Sequence, residues 1–550
     1  MGNGIIFWRN ISLPGRIKFH KGILAERVCI LMMTELKKQM IHMNRQKGTA
    51  VSQITLDDDF IVPDTMDDVA QILMNRGEVQ IESARPQGEK MLIRGKLIFY
   101  VLYRKDGGGL QALGGEIPFD EVVNVPGLEE HDDTQTSWTL EDLSTGMINS
   151  RKLSIKAVVA LEVRVESLRA AEAAVDVETD DEKMEVLKRN IDVAAIAARR
   201  KDTFRIREDI QLSGSKPNIQ QILWNEMRLR GVSVRPMDGV VHLDGELTVF
   251  LIYAGEGEHT PTQWLEESIP FSGEVELSEA SEEMIPAVGV RILHRGIEMK
   301  PDYDGEMREF AVDAVLELDI KLYKEENVEL LSDLYSTGSE VTTETGEACF
   351  DRLLTRNVCR ARVNEQIKMK TRDRILQLCH SSGSVKLDGA EPAEDGLHIE
   401  GVLEVNFLYL TDDDAEPVRA ASEIIPFHFT AEADGINEDS VWQLQPGLEQ
   451  LTAVMLGGDT VEVKAAIAAD LLVLQPVRES VVTGVQTAPL DVKRLQELPG
   501  IVGYVVQPGD TLWKIAKKFH TTVDNIRETN SLTGEEIRPG DRLILIKEIW

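Results

Sequence analysis

Apolar residues fall on every second position through three long stretches of the chain, and the three stretches are versions of one another. MLIRGKLIFYVLY (91–103) stands 150 positions before VHLDGELTVFLIY (241–253), which stands 156 before LHIEGVLEVNFLY (397–409). In the first, Met91, Ile93, Leu97, Phe99, Val101 and Tyr103 share a face with Gly95. Leu247 and Leu403 take the place of Leu97 in the other two, while charged residues such as Arg94, Lys96, Asp244, Glu246, Glu400 and Glu404 occupy the alternate positions. A period of two is that of a strand with one wet face. The central glycine, Gly95, Gly245 or Gly401, predicts a bulge or a close backbone approach.

Further elements keep step with this strand. Upstream, DDVAQILM (67–74), PNIQQILW (217–224) and RDRILQLC (372–379) place an Ile-Leu pair after polar residues, which predicts a short helix. Downstream come Ile-Pro-Phe triplets at 117–119, 269–271 and 425–427, where proline marks a strand edge. A second alternating strand follows in each case, at 153–165, 310–322 and 461–473. The expected fold is mainly β and multidomain: one β-rich, sandwich-like unit used three times, at 51–200, 201–350 and 351–482.

After a Pro- and Gly-punctuated connector (483–502) the pattern changes. Residues 503–548 read as strand, helix, helix, strand, a small α+β module of βααβ order. Pro508-Gly509 turn the first strand, Asp510 or Thr511 caps a helix burying Leu512, Ile515, Ala516 and Phe519, Thr521-Thr522 precede a second helix that Asn530 ends, and Pro539-Gly540 turn into the last strand.

Charge adds a boundary. The chain carries a net charge of -34, yet residues 501–550 hold seven Lys or Arg against seven Asp or Glu, so the whole imbalance lies upstream. Such a body repels nucleic acid and anionic lipid. Residues 1–32 are instead basic and aromatic; they are either upstream sequence translated from a wrongly chosen start or a genuine basic tail. No apolar run reaches the roughly 18 residues of a membrane span, and none near the N-terminus makes a signal-peptide core. The chain is therefore expected to stay in the cytosol. The four cysteines, Cys29, Cys349, Cys359 and Cys379, have no C-x-x-C spacing. Neither a disulfide framework nor a zinc site is expected; Cys379 beside His380 reads as a core cysteine.

No catalytic constellation emerges. G-x-S-x-G, Walker, H-E-x-x-H and G-x-G-x-x-G signatures are missing, and Gly107-Gly108-Gly109 reads as a hairpin loop. The expectation is a non-enzyme with no catalytic residues, no metal and no cofactor.

The repeated order of motifs over 55–480, with LLSDLYS at 330–336, resembles the SPOCS domain of SipL-like spore coat morphogenetic proteins. The module at 503–548, with P-G-D-T-L-W-x-I-A, T-T-V and R-P-G-D-x-L, resembles a LysM domain. The second resemblance implies a shallow groove for N-acetylglucosamine-containing glycan, with Gly509, Asp510, Thr511 and Leu512 on one side and Asn530, Ser531, Leu532 and Ile537 on the other. Leu512 and Ile537 could equally be core, and Asp510 only a cap. Protein contact through the module would use Trp513, Lys514, Lys517 and Lys518.

Together the resemblances imply a structural adaptor of endospore coat assembly at the forespore surface, in the mother-cell cytoplasm. Its implied partners are a SpoIVA-like coat-basement morphogenetic ATPase and other coat proteins. The alternative is a cell-wall protein that binds peptidoglycan glycan.

Overall fold

The computed structural model describes residues 34–129, 131–257, 262–370, 374–413, 417–491 and 499–548. The basic leader at 1–32 lies outside them. The first unit contains β1 (Thr34–Ile61), β2 (Val69–Pro86), β3 (Lys90–Lys105), β4 (Leu110–Asn124), β5 (Asp133–Asn149) and β6 (Lys152–Thr179). The second contains β7 (Met184–Gln211), β8 (Ile219–Met237), β9 (Val240–Gly255), β10 (Gln263–Glu276), β11 (Ile285–Pro301) and β12 (Met307–Ser336). The third contains β13 (Ser339–Lys368), β14 (Ile375–Ala393), β15 (Gly396–Thr411), β16 (Val418–Ala431), β17 (Val441–Gly457) and β18 (Thr460–Pro489).

Every unit is two antiparallel three-stranded sheets laid face to face. In the first the orders are β1-β6-β5 and β2-β3-β4, and the other two repeat them. The alternation seen in the sequence fills the space between the sheets: Leu97, Phe99 and Val101 from β3 meet Ile155, Val159 and Leu161 from β6. Leu97, Leu247 and Leu403 are all fully buried. The Gly107–Gly109 run is the β3–β4 turn, with φ of +83°, +94° and +85°.

The segments expected to be helical run into strands, with Arg372 and Asp373 outside the described residues. DDVAQILM, PNIQQILW and RDRILQLC enter β2, β8 and β14, and each carries two bulges three residues apart, at Val69/Gln71 and Ile72/Met74, Ile219/Gln221 and Ile222/Trp224, and Ile375/Gln377 and Leu378/His380. A bulge inserts one residue into a period of two. The inward positions thus become i and i+3, as Val69 and Ile72 are, which is the spacing a helix would have.

The central glycine meets both expectations. Gly95, Gly245 and Gly401 pair with Phe119, Phe271 and Phe427, the phenylalanines of the three Ile-Pro-Phe triplets. A Cβ on any of the three would stand 2.8 Å from the tip of that ring. The strand on the other side bulges opposite the glycine, at Ile81/Ser83, Arg230/Ser233 and Leu387/Gly389.

The strands that join the units are longer than the alternation indicated. β7 crosses 200/201 and β13 crosses 350/351, the divisions read from the sequence, and the chain passes between units at 180–183 and 337–338 instead. Likewise β18 runs to Pro489, into the stretch read as connector. Past bulges at Gln46/Gly48, Leu322/Tyr323 and Leu353/Thr355, the first and last strands of each unit leave the sandwich as a two-stranded ribbon. Each ribbon touches the other two, around an interior that includes Ile41, Met43, Val193, Leu330, Phe350 and Val481. The outer faces of the other sheets also meet: Leu102, Trp224, Phe250 and Leu408 form one cluster drawn from all three units. That face, read as wet, is dry where the units join.

Polar groups lock these junctions. Glu166 of the first unit is buried and accepts hydrogen bonds from Lys321 Nζ of the second at 2.6 Å and from Asn44 Nδ2 at 3.0 Å. At the crossovers, Asp181 Oδ2 accepts from Ser336 Oγ and Ser339 Oγ, each at 2.6 Å. The two passages between units are therefore tied to one another.

Candidate functional site: the C-terminal module and its dock

The C-terminal module is β19 (Ile501–Val505), α1 (Leu512–Phe519), α2 (Val523–Thr529) and β20 (Arg542–Ile546), with the two strands antiparallel. Threonine caps both helices. Thr511 Oγ1 accepts from the Lys514 amide at 3.2 Å and Thr522 Oγ1 from the Asn525 amide at 3.1 Å, the standard way to satisfy first-turn donors. Leu512, Ile515, Ala516, Ile526, Leu543 and Leu545 fill the interior. His520 closes α1 in the left-handed region, φ +52°, with its amide bonded to the Ala516 carbonyl.

The eight groove positions fall on two segments. Gly509, Asp510, Thr511 and Leu512 make the turn into α1, and Asn530, Ser531, Leu532 and Ile537 lie on the stretch after α2. Leu512, Leu532 and Ile537 belong to one apolar cluster, so the segments share a base. Leu512 is core, at 2% exposure. Asp510 is not the helix cap; its Oδ2 clamps the preceding turn by accepting from Tyr504 Oη at 2.7 Å and the Gln507 amide at 2.8 Å. Those donors hold its carboxyl below the usual range, the Gln507 amide first and the Tyr504 hydroxyl next. Asn530 pairs with Ile544 like a strand residue, donating to its carbonyl at 2.8 Å and accepting from its amide at 2.7 Å. The side chains left toward solvent are Thr511 and Ser531, with Leu532 and Ile537 half-buried.

The four partner candidates separate into two pairs. Lys514 and Lys518 are exposed; Lys514 Nζ reaches the Gly509 carbonyl at 3.0 Å, and Lys518 Nζ lies 5.6 Å from the centre of the Tyr504 ring. Trp513 and Lys517 are instead turned onto the SPOCS-like body. Trp513 Nε1 donates to Asp333 Oδ2 at 2.9 Å, and Lys517 Nζ donates to Asp333 Oδ1 at 2.6 Å and to the Leu334 carbonyl at 3.3 Å. They stand four residues apart on one face of α1, which lets a single carboxylate take both.

Tyr335 completes this dock, and the alternation pattern gave it no special place. It is 4% exposed, its ring meets Trp513 edge-on at 4.8 Å, and its hydroxyl donates to the Thr521 carbonyl at 2.9 Å. It thereby joins the module's own interior. Burial pushes its phenol up, with the Glu185, Glu548 and Asp333 carboxylates adding to the effect. Glu185 is likewise raised, by burial first and then by Asp524 and Glu548. The dock thus combines one favourable charge pair with a group of like charges. The signal in the sequence was LLSDLYS itself, present in full once, at the end of β12. The module is therefore seated on the second unit although it follows the third in the chain.

The family model described as SipL, SPOCS domain matches residues 68–148, 218–300 and 374–456, and the LysM domain model matches 504–545. Both are binding or structural modules rather than catalytic ones. Curated relatives are similar over the module alone. The "Probable endopeptidase p60" of Listeria monocytogenes serovar 1/2a (strain ATCC BAA-679 / EGD-e) is 49% identical over 45 residues, 8% of this chain and 9% of that protein. The protein of the same name from Listeria grayi is 51% identical over 45 residues, with the same coverage. The chain thus spans under a tenth of the curated relatives it matches. No solved structure matches. The three matched spans begin at the bulged entries to β2, β8 and β14 and end within β5, β11 and β17, and the chain thus carries three SPOCS domains followed by a C-terminal LysM domain, a SipL-like architecture.

Proposed function

We propose that this chain is a non-enzymatic structural adaptor of endospore coat assembly, holding coat material at the forespore surface from the mother-cell cytoplasm. The observation that carries this reading is the dock. Asp333 and Tyr335 hold the LysM domain against the SPOCS body, so the two ends of the adaptor move as one piece. The body supplies a large acidic surface for coat proteins, and the LysM domain supplies the end that meets a SpoIVA-like coat-basement ATPase. Lys514 and Lys518, exposed and outside the dock, are among the cations available to that partner. A fluorescent fusion imaged through sporulation tests the proposal. A ring around the forespore is expected; uniform labelling of the cell wall would refute it.

A second reading rests on a separate observation. The polar contacts to the body come from Trp513, Lys517 and Thr521, none of which is among the eight groove positions. An acetamido sugar could then enter between Gly509–Leu512 and Asn530–Ile537 while the domain stays docked, and the chain would bind peptidoglycan glycan. Titration of the full chain with chitin oligomers separates the readings. Saturable binding abolished by Leu532→Asp, in a protein that ignores the ATPase, would favour the wall.

A further inference from the structure

The three units converge on a cavity of about 460 Å3 lined by equivalent stretches, residues 76–78 on β2, 226–230 on β8 and 383–385 on β14. Trp138, Arg295 and Leu448 also line it. Its charge opposes that of the chain. In a protein of net charge -34, four arginines, Arg76, Arg228, Arg230 and Arg295, face this space against two glutamates, Glu78 and Glu226.

Both glutamates are already committed. Arg228 pairs with Glu226 and Arg295 with Glu78. Arg76 and Arg230 remain. Arg76 donates through Nη1 to the Asn225 carbonyl, and its Nε is buried with no hydrogen-bond partner among the described residues. Its guanidinium carbon lies 4.7 Å from the centre of the Tyr100 ring and 5.5 Å from that of Trp224, which fixes its orientation without neutralising it. Burial pushes Arg76 below the usual guanidinium range, against the partial opposition of the Glu226 and Glu78 carboxylates. Arg230 is half-buried and makes no ion pair among the described residues. The Glu266 carboxylate, which feels its charge, is bonded to His380 Nδ1 at 3.0 Å.

Two guanidinium groups that make no ion pair among the described residues, in a partly closed cleft, attract an anion more strongly than they would at an open surface. Their forked donors fit the oxygens of a phosphate, and two positive charges match its dianion. The volume lies within the range of small-molecule pockets. We propose that this cavity binds a phosphate group, held between Arg76 and Arg230, either as free phosphate or as a small phosphate monoester. Because its walls come from all three units, the bound anion ties them together where arginines outnumber carboxylates.

Isothermal titration of the full chain, at ionic strength held constant with sodium chloride, tests the site with inorganic phosphate and with glycerol 3-phosphate as probes. Saturable binding at one site per chain is expected, weakened at least tenfold by Arg230→Gln. Arg230 has no structural partner to lose, so this variant should fold like the parent by circular dichroism. A tenfold preference for glycerol 3-phosphate assigns the monoester, and equal affinity assigns free phosphate. Absence of saturable binding of either probe, or unchanged affinity in a folded Arg230→Gln protein, would overturn the proposal.

Discussion

Asp333 of β12 holds Trp513 Nε1 with one carboxylate oxygen, at 2.9 Å, and Lys517 Nζ with the other, at 2.6 Å, across 180 and 184 residues of chain. One side chain thus sets both the position and the rotation of α1 on the body. Asp333→Ala leaves the indole donor unpaired and the ammonium with the Leu334 carbonyl alone, and Tyr335→Ala removes the ring that the module's interior has closed over. The double variant should release the LysM domain. Limited proteolysis would then cut the connector many times faster than in the parent while the SPOCS body keeps its melting temperature; an unchanged cleavage rate would mean the dock contributes nothing.

The buried leucines give a register test. Leu97→Asp, Leu247→Asp or Leu403→Asp each place an unpaired carboxylate between two sheets and should destabilise the body by more than about 4 kcal/mol. Outward neighbours behave differently. Glu246 is exposed and, among the described residues, accepts only the Ser268 hydroxyl, so Glu246→Lys should fall within about 0.5 kcal/mol of the parent in urea titrations.

At the central glycines, the neighbours of an added Cβ rank the outcomes. At Gly245 the closest atom is the tip of the Phe271 ring, which can tilt; at Gly401 it is the main-chain oxygen of Lys386. Gly401→Ala should therefore cost about 2 to 3 kcal/mol and Gly245→Ala about 1. Equal losses would place the constraint in the ring rather than in the backbone.

Glu166 and Lys321 join the first two units with the charges almost fully buried. Lys321→Ala leaves the carboxylate with Asn44 and Arg199 alone and should cost about 3 to 5 kcal/mol. Replacing both by apolar residues of similar size should recover most of that. A double-mutant cycle on unfolding free energies reads the difference.

His380 provides a pH signature. Its ring stacks on Phe250 at 3.6 Å and lies between Glu266 Oε2 at 3.0 Å and Glu226 Oε2 at 3.4 Å. Burial works against its charge, but the two carboxylates outweigh burial and raise its pKa. Burial likewise opposes ionisation of Glu226, yet His380 and Arg228 hold it down to about 2. A raised histidine contributes stability that is complete below about pH 6.5 and disappears as pH climbs through the folded value; a depressed glutamate contributes above about pH 4.5 and is lost on acidification. Stability should therefore fall as pH rises above about 6.5 more steeply in the parent than in His380→Gln. Parallel slopes in the two proteins would show that the ring carries no proton in the fold.

The alternation of residues 91–103, 241–253 and 397–409 determined the strands, their buried faces and the threefold use of one unit, because side chains on a strand repeat every two residues whatever lies beyond. The LysM domain was legible for the same reason: caps, turns and a helical stripe are all encoded within a few residues. Where sequence failed, the cause was local too. Paired bulges at Val69, Ile219 and Ile375 turned a period of two into three and imitated a helix. Only the tertiary structure decided the rest. The meeting of Leu102, Trp224 and Leu408, the bond between Glu166 and Lys321, and the seat of Trp513 on Asp333 join residues more than 100 positions apart. No period along the chain records such a pairing, since it depends on where whole units come to rest against each other.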